Sequence, residues 1–185
     1  MTDVPLSGTT LIVGPSNVGK TRLTADALTA WLDREGTEGV VVLEFAPEVE
    51  REDRVLGGRL DRFVTPPAGV WRGVLDAHAP RATADSDAEA ADLAADNARR
   101  AAELLDAAPA DPRAVFVNDA TIPFGTPDAD PARLLDYCAG AEVAVLNALE
   151  ADEIVGSDPV SRAERRTLAA FRERADHVVR LDGEA

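Results

Sequence analysis

Five short runs rich in β-branched and apolar residues recur along the chain: "TLIV" at 10–13, "VVVLEF" at 40–45, "AVFVND" at 114–119, "EVAVLN" at 142–147 and "HVVRL" at 177–181. The second is too continuously apolar for a strand with one wet face. Strands buried on both faces, alternating with longer segments of helical character, are the pattern of a parallel sheet with helices packed against it. The expected fold class is therefore α/β, a three-layer sandwich whose central sheet is mainly parallel.

Between the first two runs, Leu23, Ala27, Leu28 and Trp31 fall on one side of a helix, and Gly36 sits where that helix would end. This makes a βαβ unit. The stretch 46–81 is interrupted by glycine and proline and reads as irregular, with one short strand at Phe63 and Val64. From 82 to 108 the chain turns alanine-rich and acidic and ends in a helical pattern through "AADLAADNARRAAELL", which Pro109 stops. A further helix begins at Pro131 and runs through Cys138. In the last one, Ser161 and Glu164 have capping-box spacing, while Leu168 and Phe171 share a buried side. No repeat or linker divides residues 1–185, so one domain is expected.

Acids outnumber bases 34 to 19, for a formal charge of -15. That balance repels polyanions, so neither nucleic acid nor a membrane surface is an expected partner. The composition resembles that of proteins from salt-loving archaea, which predicts a halophilic protein. One cysteine, Cys138, excludes an internal disulfide and fits a reducing compartment. The first residues carry an acid and no basic region, so no secretory leader is expected. No run approaches the roughly 18 apolar residues of a membrane helix. The expected location is cytoplasmic.

The only lysine of the chain, Lys20, lies in "GPSNVGKT". Gly14, Pro15, Ser16, Asn17, Val18, Gly19, Lys20 and Thr21 spell glycine, four residues, glycine, lysine, threonine, between a predicted strand and a predicted helix, with Arg22 next. Each position has a reason: the glycines let backbone N–H groups turn inward onto phosphates, beside a helix N-terminus. Lys20 would reach the β and γ phosphates and Thr21 would hold Mg²⁺. Arginine is too bulky and planar for that place.

Such a loop needs a carboxylate on the Mg²⁺ side from the end of another strand. Asp119, closing "VFVND", is the candidate, and Glu44, ending an apolar run at the carboxyl edge of the sheet, would orient water or support the metal. Glu48 is the fallback for Glu44. Lys20, Asp119 and Glu44 are the candidate catalytic residues. Asn147, closing the fourth run, is a candidate hydrogen-bond partner for an adenine.

The order strand, "GPSNVGKT", helix, "VVVLEFAPE", "VFVND", "VAVLN" resembles the P-loop NTPases. Within them it is most similar to the branch with signal-recognition GTPases, dethiobiotin synthetase, partitioning ATPases and metal-insertion GTPases. The resemblance implies a bound Mg-nucleoside triphosphate. Three departures narrow it. The early second lysine of the partitioning ATPases is missing at Gly14, Pro15 and Ser16. One cysteine and the separated His78 and His177 supply no metal motif. The guanine-reading Asn-Lys-x-Asp begins at Asn147 but continues with Ala148 and Glu150, which favours ATP over GTP.

Three functions remain open on these residues. One is an NTPase whose hydrolysis drives a conformational or partner-binding change. A second is a small-molecule kinase or ligase, in which 46–81 binds an acceptor and arginines such as Arg59, Arg62, Arg72 and Arg81, or Arg162, Arg165, Arg166, Arg172 and Arg174, hold its anionic group. The third is a sensor that binds nucleotide without turnover. The small-molecule or protein partner is unknown.

Overall fold

The computed structural model describes residues 4–51, 54–56, 58–150 and 157–183. Six strands form one all-parallel sheet: β1 (Gly8–Gly14), β2 (Val40–Glu44), β5 (Trp71–Val74), β6 (Ala114–Asn118), β7 (Val143–Leu149) and β8 (His177–Arg180). Their order is β5-β2-β6-β7-β1-β8. A separate antiparallel hairpin, β3 (Val49–Arg51) and β4 (Arg54–Leu56), comes after β2 in the chain.

The alternation of side chains along each strand sorts the core into two layers. Ile12, Val42, Phe116 and Val145 pack on one face against Ala27, Leu28 and Trp31 of α1 (Lys20–Glu35). Leu11, Val13, Leu43, Val117 and Leu146 pack on the other. There they meet α3 (Asp87–Ala107) through Ala101, α4 (Ala132–Ala139) through Leu134 and Cys138, and α5 (Pro159–Arg174) through Leu168 and Phe171. Helix, sheet, helix is the three-layer sandwich expected. Cys138 is buried in that core, and burial pushes its thiol up to about 12.

Two local expectations change. Phe63 and Val64 are not a strand; they come after a 3-10 turn at Leu60–Arg62, and the strand of this region is β5, which pairs parallel to β2. The helix expected in the alanine-rich segment is α3, preceded by the short α2 (Pro80–Thr83); Ser86 caps α3 by accepting from the Glu89 N–H at 3.2 Å. The N-cap of α5 is Asp158, which accepts from the Ser161 N–H at 2.9 Å, so Ser161 and Glu164 lie inside the helix. Among the described residues no helix is long and apolar enough to cross a membrane.

Candidate functional site

Every strand of the parallel sheet delivers its carboxyl end to one edge, where ligands bind in open α/β folds. At this edge β1 ends in Gly14, and the loop 15–19 runs straight into α1. The loop turns through left-handed backbone at Asn17 (φ 63°) and Gly19 (φ 96°), conformations that asparagine and glycine tolerate. Gly14 has a steric reason as well: a Cβ there would lie 2.3 Å from the Leu181 carbonyl oxygen. Gly19 caps α1 without a side-chain acceptor, which leaves the first turn without the usual N-cap hydrogen bond and suits it to an anion.

Lys20 is only 8% exposed. Its ammonium donates to the carbonyl of Gly14 at 2.9 Å and to that of Pro15, closing the loop from inside. Thr21 donates its hydroxyl to Asn118 Oδ1 at 3.3 Å. Asp119, one residue beyond β6, also sits in left-handed backbone (φ 54°), and its N–H is received by Asn147 Oδ1 at 2.9 Å. Burial raises the Asp119 carboxyl above its ordinary range, while Lys20 and Arg81 pull it down. Backbone of this kind on non-glycine residues clusters at functional sites.

These groups line a cavity of about 540 Å³. The loop contributes Ser16, Asn17, Gly19, Lys20 and Thr21, followed by Arg22, and the strand edge contributes Asp119. Gly58, Arg62, Phe63, the segment 79–82 and Glu164 form another part of the wall, and Pro47, Thr121, Ile122 and Leu149 the rest. Lys20, Arg22, Arg62 and Arg81 are its basic residues and Asp119 and Glu164 its acids. The cavity wall therefore reverses the acid excess of the whole chain, with Arg81 paired to Glu164 and Arg62 to Glu48.

Two expected site residues take other positions. Glu44 is fully buried and does not line the cavity: its carboxylate accepts from the Leu60 N–H at 2.9 Å and Asn118 Nδ2 at 3.0 Å, and pairs with Arg72 at 3.3 Å. Burial raises its pKa, with those same hydrogen bonds opposing. It cannot orient a water in the cavity. Asn147 is also fully buried, and its amide donates to Thr24 Oγ1 and Asn118 Oδ1, each at 2.9 Å. It joins three elements of the protein and has no face for a base. Gly14, Pro15 and Val18 shape the loop without forming cavity wall. Glu48 does not line the cavity itself; it pairs with Arg59 and with Arg62, which does.

Most of the arginines are engaged on the protein's own surface. Arg72 bonds Asp61 at 2.7 Å, Arg174 bonds Asp136 at 2.8 Å, Arg166 bonds the Pro127 carbonyl at 2.8 Å and Arg172 bonds Glu150. The side chains of Arg51 and Arg54 lie outside the described part.

Glu164 is the cavity residue that sequence reasoning assigned elsewhere. It is 3% exposed and pairs with Arg81 of α2 at 3.2 Å. Burial pushes its carboxyl up to about 7; Arg81 counters this, and Asp119 and Asp158 add to it. The signal was available: Glu164 shares a helix stripe with the buried Leu168 and Phe171, where an acid is out of place.

Among the described residues, no group of three or more His, Cys, Asp or Glu could hold a metal alone. Thr21 and Asp119 do offer a hydroxyl and a carboxylate to one cavity. That set fits Mg²⁺, which binds through few protein oxygens and completes its shell with phosphates and water. No family model and no curated protein sequence matches the chain.

Proposed function

We propose that this chain binds Mg-nucleoside triphosphate at the loop 14–21, with ATP favoured over GTP, and cleaves its terminal phosphate. The observation that carries the reading is the convergence of Lys20 and Thr21 from the loop, and Asp119 from the distant end of β6, on one basic cavity at the carboxyl edge of the sheet. In this reading the loop backbone and Lys20 take the phosphates, and Thr21 and Asp119 hold Mg²⁺, which supplies charge neutralisation on the phosphate oxygens. Lys20 exchanges the Gly14 and Pro15 carbonyls for phosphate oxygens without leaving the loop.

The preference for ATP rests on the residues at the carboxyl end of β7. Ala148, at the place of the lysine of a guanine-reading motif, is a buried apolar residue, and Glu150, at the place of its aspartate, is paired with Arg172; that departure is what favours ATP.

Transfer to a small acceptor is the second reading, and one observation favours it. The segment 58–82, irregular in sequence, supplies Arg62, Phe63 and Arg81 to the cavity wall, apolar and cationic surface beyond what a triphosphate needs. Simultaneous assay of ADP and inorganic phosphate separates the two: equal amounts mean hydrolysis, and ADP in excess means transfer. Binding of Mg-ATP that Lys20→Ala abolishes supports the common premise; a folded protein that binds neither ATP nor GTP overturns it.

A further inference from the structure

Of the two acids in the cavity wall, Asp119 stands beside Lys20 and the Thr21–Asn118 contact, where the metal would be held. Glu164 comes from a different helix and has a different environment. Among the described residues Arg81 is the one ionic partner of its carboxylate, and no hydrogen bond satisfies the remaining oxygen lone pairs. A carboxylate that is 3% exposed ordinarily has several donors around it. Glu44, equally buried, illustrates the rule with an N–H, an amide and a guanidinium. Glu164 instead keeps acceptor capacity facing a cavity that already has its phosphate loop.

We infer that Glu164 is the carboxylate that receives the O–H group attacking the terminal phosphate, held in position by Arg81. The inference rests on the nucleotide reading above. The attacking oxygen, from water or from an alcohol, forms a bond to the γ-phosphorus. The bond from that phosphorus to the bridging oxygen breaks, and its electron pair leaves with the nucleoside diphosphate. The proton of the attacking O–H passes to the Glu164 carboxylate and then to solvent. Arg81 bonds the same carboxylate and lines the same cavity, so it also faces the phosphoryl group as charge moves across it.

Its place in the cavity wall with Lys20 and Asp119, and not a sequence motif, selects this residue. A general base must stand within hydrogen-bond reach of the proton it takes. Glu44 fails that condition because its oxygens are occupied inside the protein. Asp119 would be taken up in holding Mg²⁺ with Thr21. The Glu164 side chain is carried on α5, a helix of 16 residues whose Leu168 and Phe171 are locked into the core, so it projects from a rigid element.

The test compares wild type, Glu164→Gln and Glu164→Asp in concentrated KCl. Mg-ATP affinity is measured by calorimetry, folding by thermal melt, and ADP with inorganic phosphate in buffer alone and with molar glycerol as an alcohol probe. The expected result is affinity within about threefold of wild type for both variants. ADP formation should fall about 100-fold or more in Glu164→Gln, the scale of a lost general base. Glu164→Asp, one methylene shorter, should fall between. If water is the nucleophile, phosphate equals ADP in both media; if an alcohol is, glycerol raises ADP above phosphate.

A Glu164→Gln protein that forms ADP within threefold of wild type in both media overturns the inference. So does a wild type that binds Mg-ATP but forms no ADP in either medium, which leaves the binding reading intact. Loss of affinity in step with loss of rate assigns Glu164 to structure and also overturns it. Absence of nucleotide binding by folded wild type removes the premise and the inference together.

Discussion

Asn118 donates its side-chain amide to the Glu44 carboxylate across 3.0 Å, and both residues are fully buried at the paired ends of β6 and β2. Asn118 also donates to the Gly58 carbonyl at 2.7 Å and accepts from Thr21 and Asn147. One side chain thereby ties α1 to two strands and to the 58–62 segment. Replacing it with leucine leaves several buried polar groups without partners, each worth about 1–3 kcal/mol. Asn118→Leu should lower unfolding stability by about 3 kcal/mol or more, read by denaturant titration. Glu44→Gln keeps the shape of the cluster, so it should leave ATP turnover within a few fold of wild type. A catalytic Glu44 would make that variant inactive.

Glu164 predicts a pH dependence of stability. Its carboxyl titrates near 4.5 in the unfolded chain and near 7 in the folded one. Between those values the folded state holds the proton more tightly, so stability falls as pH rises, by at most about 1.4 kcal/mol per pH unit from this group. The groups facing it are Arg81 on α2, Asp119 after β6 and Asp158 at the cap of α5. Glu164→Gln removes this component and should be more stable than wild type above pH 7, with the difference vanishing below pH 4.5. Melts of both proteins from pH 4 to 8 measure it.

Asn147 separates a structural role from base recognition. Its amide joins Thr24, Asn118 and the Asp119 N–H, so Asn147→Ala should cost about 2 kcal/mol or more of stability and loosen the Asp119 turn. The ratio of ATP to GTP affinity should stay within about threefold of wild type. Calorimetry with both nucleotides checks the ratio, and a reversal of preference would contradict the assignment.

The charge of -15 predicts dependence on salt. In molar KCl the Debye length shrinks to about 3 Å and repulsion among surface carboxylates is screened. The thermal midpoint should rise between low salt and molar KCl. An unchanged midpoint would count against a halophilic protein.

The strands and the loop between β1 and α1 were legible because they are local. A run such as Val40–Leu43 is apolar for its own burial, and Gly19 answers to the left-handed backbone of its own loop, whereas the close approach of the Leu181 carbonyl to Gly14 is not local. The order of strands was not legible, since no local pattern says that β7 lies between β1 and β6. That insertion decides the fate of Asn147, which bridges the two ends it separates. Glu44 was legible as an unusual acid on an apolar strand, yet its partners, Leu60 and Arg72, come from the segment whose sequence carries no periodic signal. Glu164 was masked by a nearby serine at capping distance, and only the true cap at Asp158 releases it for the cavity.

The most direct measurement is calorimetric titration of Mg-ATP into wild type and Lys20→Ala in concentrated KCl, with folding of both checked by melt. Saturable one-to-one binding to wild type that is lost in the folded variant is the predicted result. Equal binding to both proteins, or none to wild type, would contradict a nucleotide site at the loop 14–21.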